Sequence, residues 1–90
     1  MNIQRRKKIE KIEKSIEEIQ ELINERSTDL EEIRDEEEES MNNLPKNMQS
    51  GEKYEKMESA YENLDYAVSE LDDITDTLQE VLNYLAEARE

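Results

Sequence analysis

A single proline and a single glycine interrupt the 90 residues, and both lie at the midpoint, in Asn43-Leu44-Pro45-Lys46-Asn47-Met48-Gln49-Ser50-Gly51. Pro45 lacks a backbone donor and pushes Leu44 out of the α region, so a helix arriving here has to end before it. Ser50 is a suitable N-cap for a helix leaving the stretch, with Lys53 where a capping-box Glu would stand. On either side nothing breaks a helix, and the strong helix formers Glu, Lys, Gln and Arg are abundant. The expected fold is all-α: one domain over residues 1–90, an antiparallel two-helix hairpin of coiled-coil type. The first helix should run from about 3 to 40, the loop over 41–50, and the second helix from about 51 to 88.

The apolar residues of the first half are Ile9, Ile12, Ile16, Ile19, Ile23, Leu30 and Ile33. With Ile9 as position a of a seven-residue repeat, every one is an a or d position and Arg26 is the skipped d, which describes a narrow coiled-coil seam. In the second half the a and d positions are Tyr54, Met57, Tyr61, Leu64, Val68, Leu71, Thr75, Leu78, Leu82 and Leu85. A further row, Ala60, Ala67, Ile74, Val81 and Ala88, runs beside them at g, which makes the face wider than a two-stranded seam uses.

A fold-over at residue 47 pairs positions whose numbers sum to 94. Ile33 would then face Tyr61, Leu30 Leu64, Ile23 Leu71, Ile19 Thr75, Ile16 Leu78, Ile12 Leu82 and Ile9 Leu85. Arg26 would lay its stem along the seam opposite Val68. Each arm would be a rod of about 55 Å at ~1.5 Å per residue. A scaffold this small rarely stands without a staple. The g row is therefore expected to be an interface, with a second copy in an antiparallel four-helix bundle or with a different protein. A partly wet flank on a monomer is the plainer alternative.

The 12 basic and 26 acidic residues leave a formal charge of −14, which repels nucleic acid and anionic lipid and attracts basic protein surfaces. Direct binding to nucleic acid or membrane is not expected; a protein with a basic surface is. Residues 1–14 hold Arg5, Arg6, Lys7, Lys8, Lys11 and Lys14 against Glu10 and Glu13, a local +4, so the other 76 residues carry −18. Between Met57 and Ala88 there is no basic residue. The first helix thus opposes its own macrodipole, with the acidic run Asp35, Glu36, Glu37, Glu38 and Glu39 near its C-terminal end, at a few tenths of a kcal/mol or more (~0.3) per charge. Compensation across the hairpin, by Lys53 and Lys56 at one end and by Glu80, Glu87 and Glu90 at the other, accounts for this as well as presentation to a partner does.

The second helix carries a stripe of like charge at Glu58, Glu62, Asp65, Asp72 and Asp76, spaced mostly three or four apart, where carboxylates repel. A charge run is most often a solvated face, but regular carboxylates on a rigid rod also imitate the phosphate row of a duplex. Tyr66 and Tyr84 sit at f and c, away from the seam, and exposed tyrosines are frequent binding anchors. The acidic tip, the stripe and these two tyrosines form the candidate partner-binding set.

Catalysis is not expected. With neither histidine nor cysteine the usual general base and the soft metal ligands are missing. Asp72-Asp73-Ile74-Thr75-Asp76 lacks the glycine and the terminal Glu spacing of a calcium loop, and the lone glycine opens no phosphate-binding loop. Carboxylate pairs abound, yet a general acid needs a pocket to shift its pKa. No cofactor, metal or small-molecule substrate is expected. No apolar run approaches the ~18 residues of a membrane span, no signal-peptide core follows the basic cluster, and the lack of cysteine fits a reducing compartment. The expected location is the cytoplasm.

The segment Glu32-Ile33-Arg34-Asp35-Glu36-Glu37-Glu38, the loop Asn43-Leu44-Pro45-Lys46-Asn47-Met48-Gln49, and Glu52-Lys53-Tyr54-Glu55-Lys56 with Leu64-Asp65 beyond resemble a family of small acidic helical-hairpin proteins from Gram-positive bacteria and their phages and prophages. The shared pattern is an Asn-x-Pro-x-x-x-Gln loop between two acidic helices, over roughly residues 30–85. That family has no assigned activity, so the resemblance implies a mobile-element setting and no catalytic residue.

The expected function is a non-catalytic acidic protein-binding module: a phage or mobile-element inhibitor, anti-defence or anti-CRISPR in kind, that occludes a nucleic-acid-binding surface as a DNA mimic does. The alternative is a homodimeric structural or assembly coiled coil with no inhibitory role.

Overall fold

The computed structural model describes residues 1–90 as two α-helices, α1 over Ile3–Asn42 and α2 over Glu52–Ala88, joined by a 3-10 turn over Lys46–Met48. The helices pack against each other as an antiparallel hairpin, and there is no strand. Its backbone measures 69 × 15 × 13 Å. This exceeds the expected arm of about 55 Å because α1 alone, with 40 residues, is about 60 Å long at ~1.5 Å per residue.

Asn2 caps α1, its side-chain oxygen accepting the Arg5 backbone N–H at 2.8 Å. The helix ends two residues later than the sequence indicates, since Met41 is buried and the Asn43 N–H still reaches the Glu39 carbonyl at 3.0 Å. Pro45 then ends it as expected. In the loop, the Met48 N–H donates to the Pro45 carbonyl at 2.8 Å, and the Gln49 side-chain amide donates to the Leu44 carbonyl at 2.9 Å. Gln49 thus straps the loop across its own width, which gives the last residue of the Asn-x-Pro-x-x-x-Gln pattern a structural role. The N-cap of α2 is Gly51 rather than Ser50, and it offers no side-chain oxygen to the exposed donors.

On α2 the buried face is the one the sequence indicates: Tyr54, Met57, Tyr61, Leu64, Leu71, Thr75, Leu78 and Leu85 are half-buried, and Val68 and Leu82 are buried. On α1 the expected seam is corrected. The a row, Ile9, Ile16, Ile23 and Leu30, is half-buried as anticipated, but its companion is the e row and not the d row. Glu13, Gln20, Ser27, Arg34 and Met41 turn inward, with Ser27 only 4% exposed, while Ile12, Ile19 and Ile33 stand 53%, 48% and 49% exposed. Arg26 does not lie along the seam either; it stays outside, paired with Asp29 at 3.0 Å.

The register moves with this rotation. Arg34–Asp65, Ser27–Asp72, Asn24–Thr75 and Gln20–Gln79 are in contact, and each pair of numbers sums to 99 rather than 94. The offset of about five residues exceeds one ~3.6-residue turn. It has a local cause at the tip, where Met41 and Leu44 continue the a and e rows of α1 into the loop, whereas the d row ends in Ser40. Closing the loop over two apolar side chains selects the a/e phase for the whole helix.

Two cysteine pairs test the register, and one substitution tests the tip. Ser27→Cys with Asp72→Cys should form an intramolecular disulfide on mild oxidation, seen as thiol loss and faster gel migration. Ile23→Cys with Leu71→Cys, a pair from the sum-94 register, should oxidise much more slowly. At the tip, Gly51 has φ −91°, open to any residue, and a Cβ there would meet nothing nearer than the Met48 carbonyl at 3.9 Å. Gly51→Ser supplies the missing cap and should raise stability by about 0.5–1 kcal/mol, read as a higher urea midpoint at unchanged slope.

A candidate protein-interaction surface

The polar contacts between the helices lie on one flank of the seam. Arg34 Nη1 meets Asp65 at 2.9 Å, Ser27 Oγ donates to Asp72 at 3.3 Å, and Gln20 donates to Gln79 at 3.3 Å. These are contacts of the α1 e row with the α2 e row. At 100° per residue, the e row of α2 and the b row of α1 therefore share this flank. The g row of α2 and the d row of α1 must share the opposite one. The hairpin has two unlike faces.

The first face is acidic. It carries Glu10, Glu17, Glu31 and Glu38 from α1 beside Glu58, Glu62, Asp65, Asp72 and Asp76 from α2. The structure divides the expected stripe into two groups. Asp65 and Asp72 hold the hairpin together through Arg34 and Ser27, whereas Glu58, Glu62 and Asp76 are exposed and belong to none of its ion pairs.

The acidic tip is likewise divided. Glu37 borders a shallow groove with Glu52, Lys53, Lys56 and Met57, but no ion pair joins the acidic run to either lysine, and Lys56 pairs with Glu52 of its own helix at 3.5 Å. Asp35 pairs with its neighbour Arg34 at 3.2 Å, and Glu38 lies beside the Tyr61 hydroxyl. Glu36 and Glu39 are exposed. At the other end Arg6 donates to the Glu90 backbone carbonyl at 2.9 Å, and the one ion pair is of the opposite sense to that expected, Arg89 Nε meeting Glu13 at 2.6 Å, with none to Glu80, Glu87 or the Glu90 side chain. Tyr66 and Tyr84 stand 65% and 72% exposed, as their f and c positions require. Tyr84 borders a second shallow groove, with Glu80, Asn83 and Glu87.

The second face is apolar. Ala60, Ala67, Ile74, Val81 and Ala88 are exposed as the sequence indicates, Ile74 at 45% and Val81 at 37%. What sequence reasoning missed is that Ile12, Ile19 and Ile33 of α1 join them there, with Leu22 at the margin, 55% exposed. The missed signal was the small polar Ser27 at an e position, which lets two helices approach closely, together with Met41 one heptad beyond Arg34. No helix of the hairpin is long and apolar enough to cross a membrane.

Comparison with protein-family models, curated proteins and solved structures returned no match. The functional reading accordingly rests on the two faces.

One group reports on the seam directly. The Tyr61 hydroxyl lies beside the Glu38 carboxylate, whose attraction for the phenol proton and negative charge, with partial desolvation, raise the phenol above its ordinary 10.0. A proton held more tightly in the folded state stabilises the fold fully below the unfolded pKa and is lost as pH rises through the raised one. In an alkaline titration of phenolate absorbance, Tyr61 should ionise above pH 10.0, and Glu38→Gln should bring it back toward that value.

Proposed function

We propose that the chain is a non-catalytic protein-binding module whose acidic face occludes a basic surface, of the kind that otherwise holds nucleic acid. The observation that carries this reading is the unbroken sign of that face. Away from the terminal end its one cation, Arg34, is already paired with Asp65, and α2 has no basic residue between Met57 and Ala88. Carboxylates three or four residues apart along a helix recur about every 5 Å at ~1.5 Å per residue. That is the same order as the ~3.4 Å of helix axis per charge along one DNA strand. Helices strapped at the tip and clasped at the far end hold these charges in fixed relation, so little ordering entropy is lost on binding. Tyr66, at f, adds an amphipathic anchor beside the b row of that face, while Tyr84, at c, lies nearer the g row.

The mobile-element setting implied by the loop pattern makes a host or defence protein the target, and inhibition by blocking its nucleic-acid site the consequence. Anti-CRISPR activity is one form this would take. Such a target is reached in the cytoplasm.

The test uses the chain immobilised against a Gram-positive lysate. Captured proteins should be released by raised salt and by duplex DNA in competition. Glu62→Lys with Asp76→Lys, both outside the ion pairs of the hairpin, should weaken capture by at least about tenfold. Capture indifferent to salt, to DNA and to this charge reversal would exclude the reading.

A further inference from the structure

Each helix of the hairpin shows an apolar row to the same side, and neither row has cover. Only four of the 90 residues are buried, and no large side chain is fully enclosed. The geometry points to a second copy of this chain as the occupant of the apolar face. The two hairpins would stack face to face with their long axes antiparallel, as a four-helix bundle around a two-fold axis that crosses the rods at mid-length.

Three observations select this occupant and this orientation. The first is where the rows are centred. Ile12, Ile19, Arg26 and Ile33 are symmetric about the span between Leu22 and Ile23, and Ala60, Ala67, Ile74, Val81 and Ala88 are symmetric about Ile74. In the observed register Asn24 lies level with Thr75, so the two centres lie about 4 Å apart along the rod at ~1.5 Å per residue. A two-fold axis midway between them serves both rows with a small stagger. It stacks α1 on α1 of the second copy, with Ile12 beside Ile33, and α2 on α2, with Ile74 beside Ile74 and Ala67 beside Val81, each pair offset by about 4 Å. The alanines at the ends of the α2 row allow those backbones to approach closely.

The second observation is charge. Arg5, Lys8 and Lys11 border the apolar row of α1 at the terminal end, and Glu32, Glu36 and Glu39 border it at the loop end. Antiparallel stacking brings these two sets level across the interface. Parallel stacking would set the acidic loop ends of both copies side by side, which opposite-sign complementarity disfavours.

The third is area. The apolar row of α2, from Ala60 to Ala88, is about 42 Å long at ~1.5 Å per residue, and over the 15 Å width of the hairpin this makes about 600 Å² per copy, at the lower end of the ~600–1,000 Å² per partner of standard stable interfaces. The inference goes beyond the acidic-face reading and leaves that face outward on both sides of the dimer, so either can fail without the other.

Light scattering on a sizing column at tens of micromolar should give twice the 10.7 kDa chain mass. Ile19→Glu with Ile74→Glu should halve that mass while the helical circular dichroism is retained. Glu62→Lys with Asp76→Lys, on the other face, should leave the mass unchanged. Because the chain has no cysteine, orientation can be read by disulfides. Ile74→Cys should cross-link to itself, and a mixture of Ile12→Cys and Ile33→Cys chains should give the mixed disulfide. A monomer at these concentrations, a dimer indifferent to the two glutamates, or an Ile12→Cys self-disulfide in place of the mixed one would overturn the proposal.

Discussion

An antiparallel pair of helices shelters one strip on each member, and everything outside that strip meets water or something else. For α2 the strip is unambiguous, because its apolar a and d rows are long and its g row is built of smaller side chains. For α1 two strips compete, sharing the isoleucines of the a row and differing in the companion row. The aliphatic d row offers more apolar area, at roughly 25 cal/mol per Å². The e row offers Met41 at the tip and hydrogen-bonding groups that match α2. The loop decides between them, since Pro45 and the Gln49 strap fix where the chain turns and Met41 and Leu44 must lie beneath that turn. A choice made over a few residues at one end is carried rigidly along the whole of α1.

The electrostatics follow from the same choice. With the e row inward, Arg34, Gln20 and Glu13 sit where α2 and its C-terminal Arg89 can meet them. Exposed ion pairs contribute little each, on the order of 0–1 kcal/mol. Their larger effect is on uniqueness: sliding α2 by one turn would part all of these groups from their partners at once. Ser27 and Asp72 add a position where a bulky side chain cannot be placed without forcing the rods apart. Carboxylates that repel one another along α2 are thus in part accounted for by the helix beside them. The residues left over, Glu58, Glu62 and Asp76 above all, are the ones whose sign wants a reason outside the hairpin.

Much of the architecture was legible from the residues. Pro45 placed the turn, the heptad placed the buried face of α2, and the g row was recognised as surface that two helices alone do not cover. The phase of α1 was not legible, and the reason is physical. Apolar periodicity records which side chains are to leave water, and is silent about which neighbour removes them. Ile12, Ile19 and Ile33 were assigned to the nearest available helix, which was α2. Polar groups carried the finer information, and Ser27, Gln20 and Arg34 at one repeated position would have marked the true contact line had small and hydrogen-bonding residues been weighed beside the aliphatic ones. The exposed rows divide in the same way: Ala60 to Ala88 are legible as surface from the heptad, while Ile12, Ile19 and Ile33 join them only through the rotation of α1.

The slight interior of the hairpin also bears on how long a molecule of it lasts. With four residues buried, the helices open locally at small free-energy cost, and opened segments are what proteases cut. Anything that covers the apolar face withdraws the chain from that fate in proportion to its own concentration. If the cover is a second copy, survival rises with supply: freshly made chains are short-lived while scarce and durable once abundant. Such a protein would accumulate above a threshold of synthesis and clear quickly below it, a timing behaviour set by a bare strip of isoleucine and alanine.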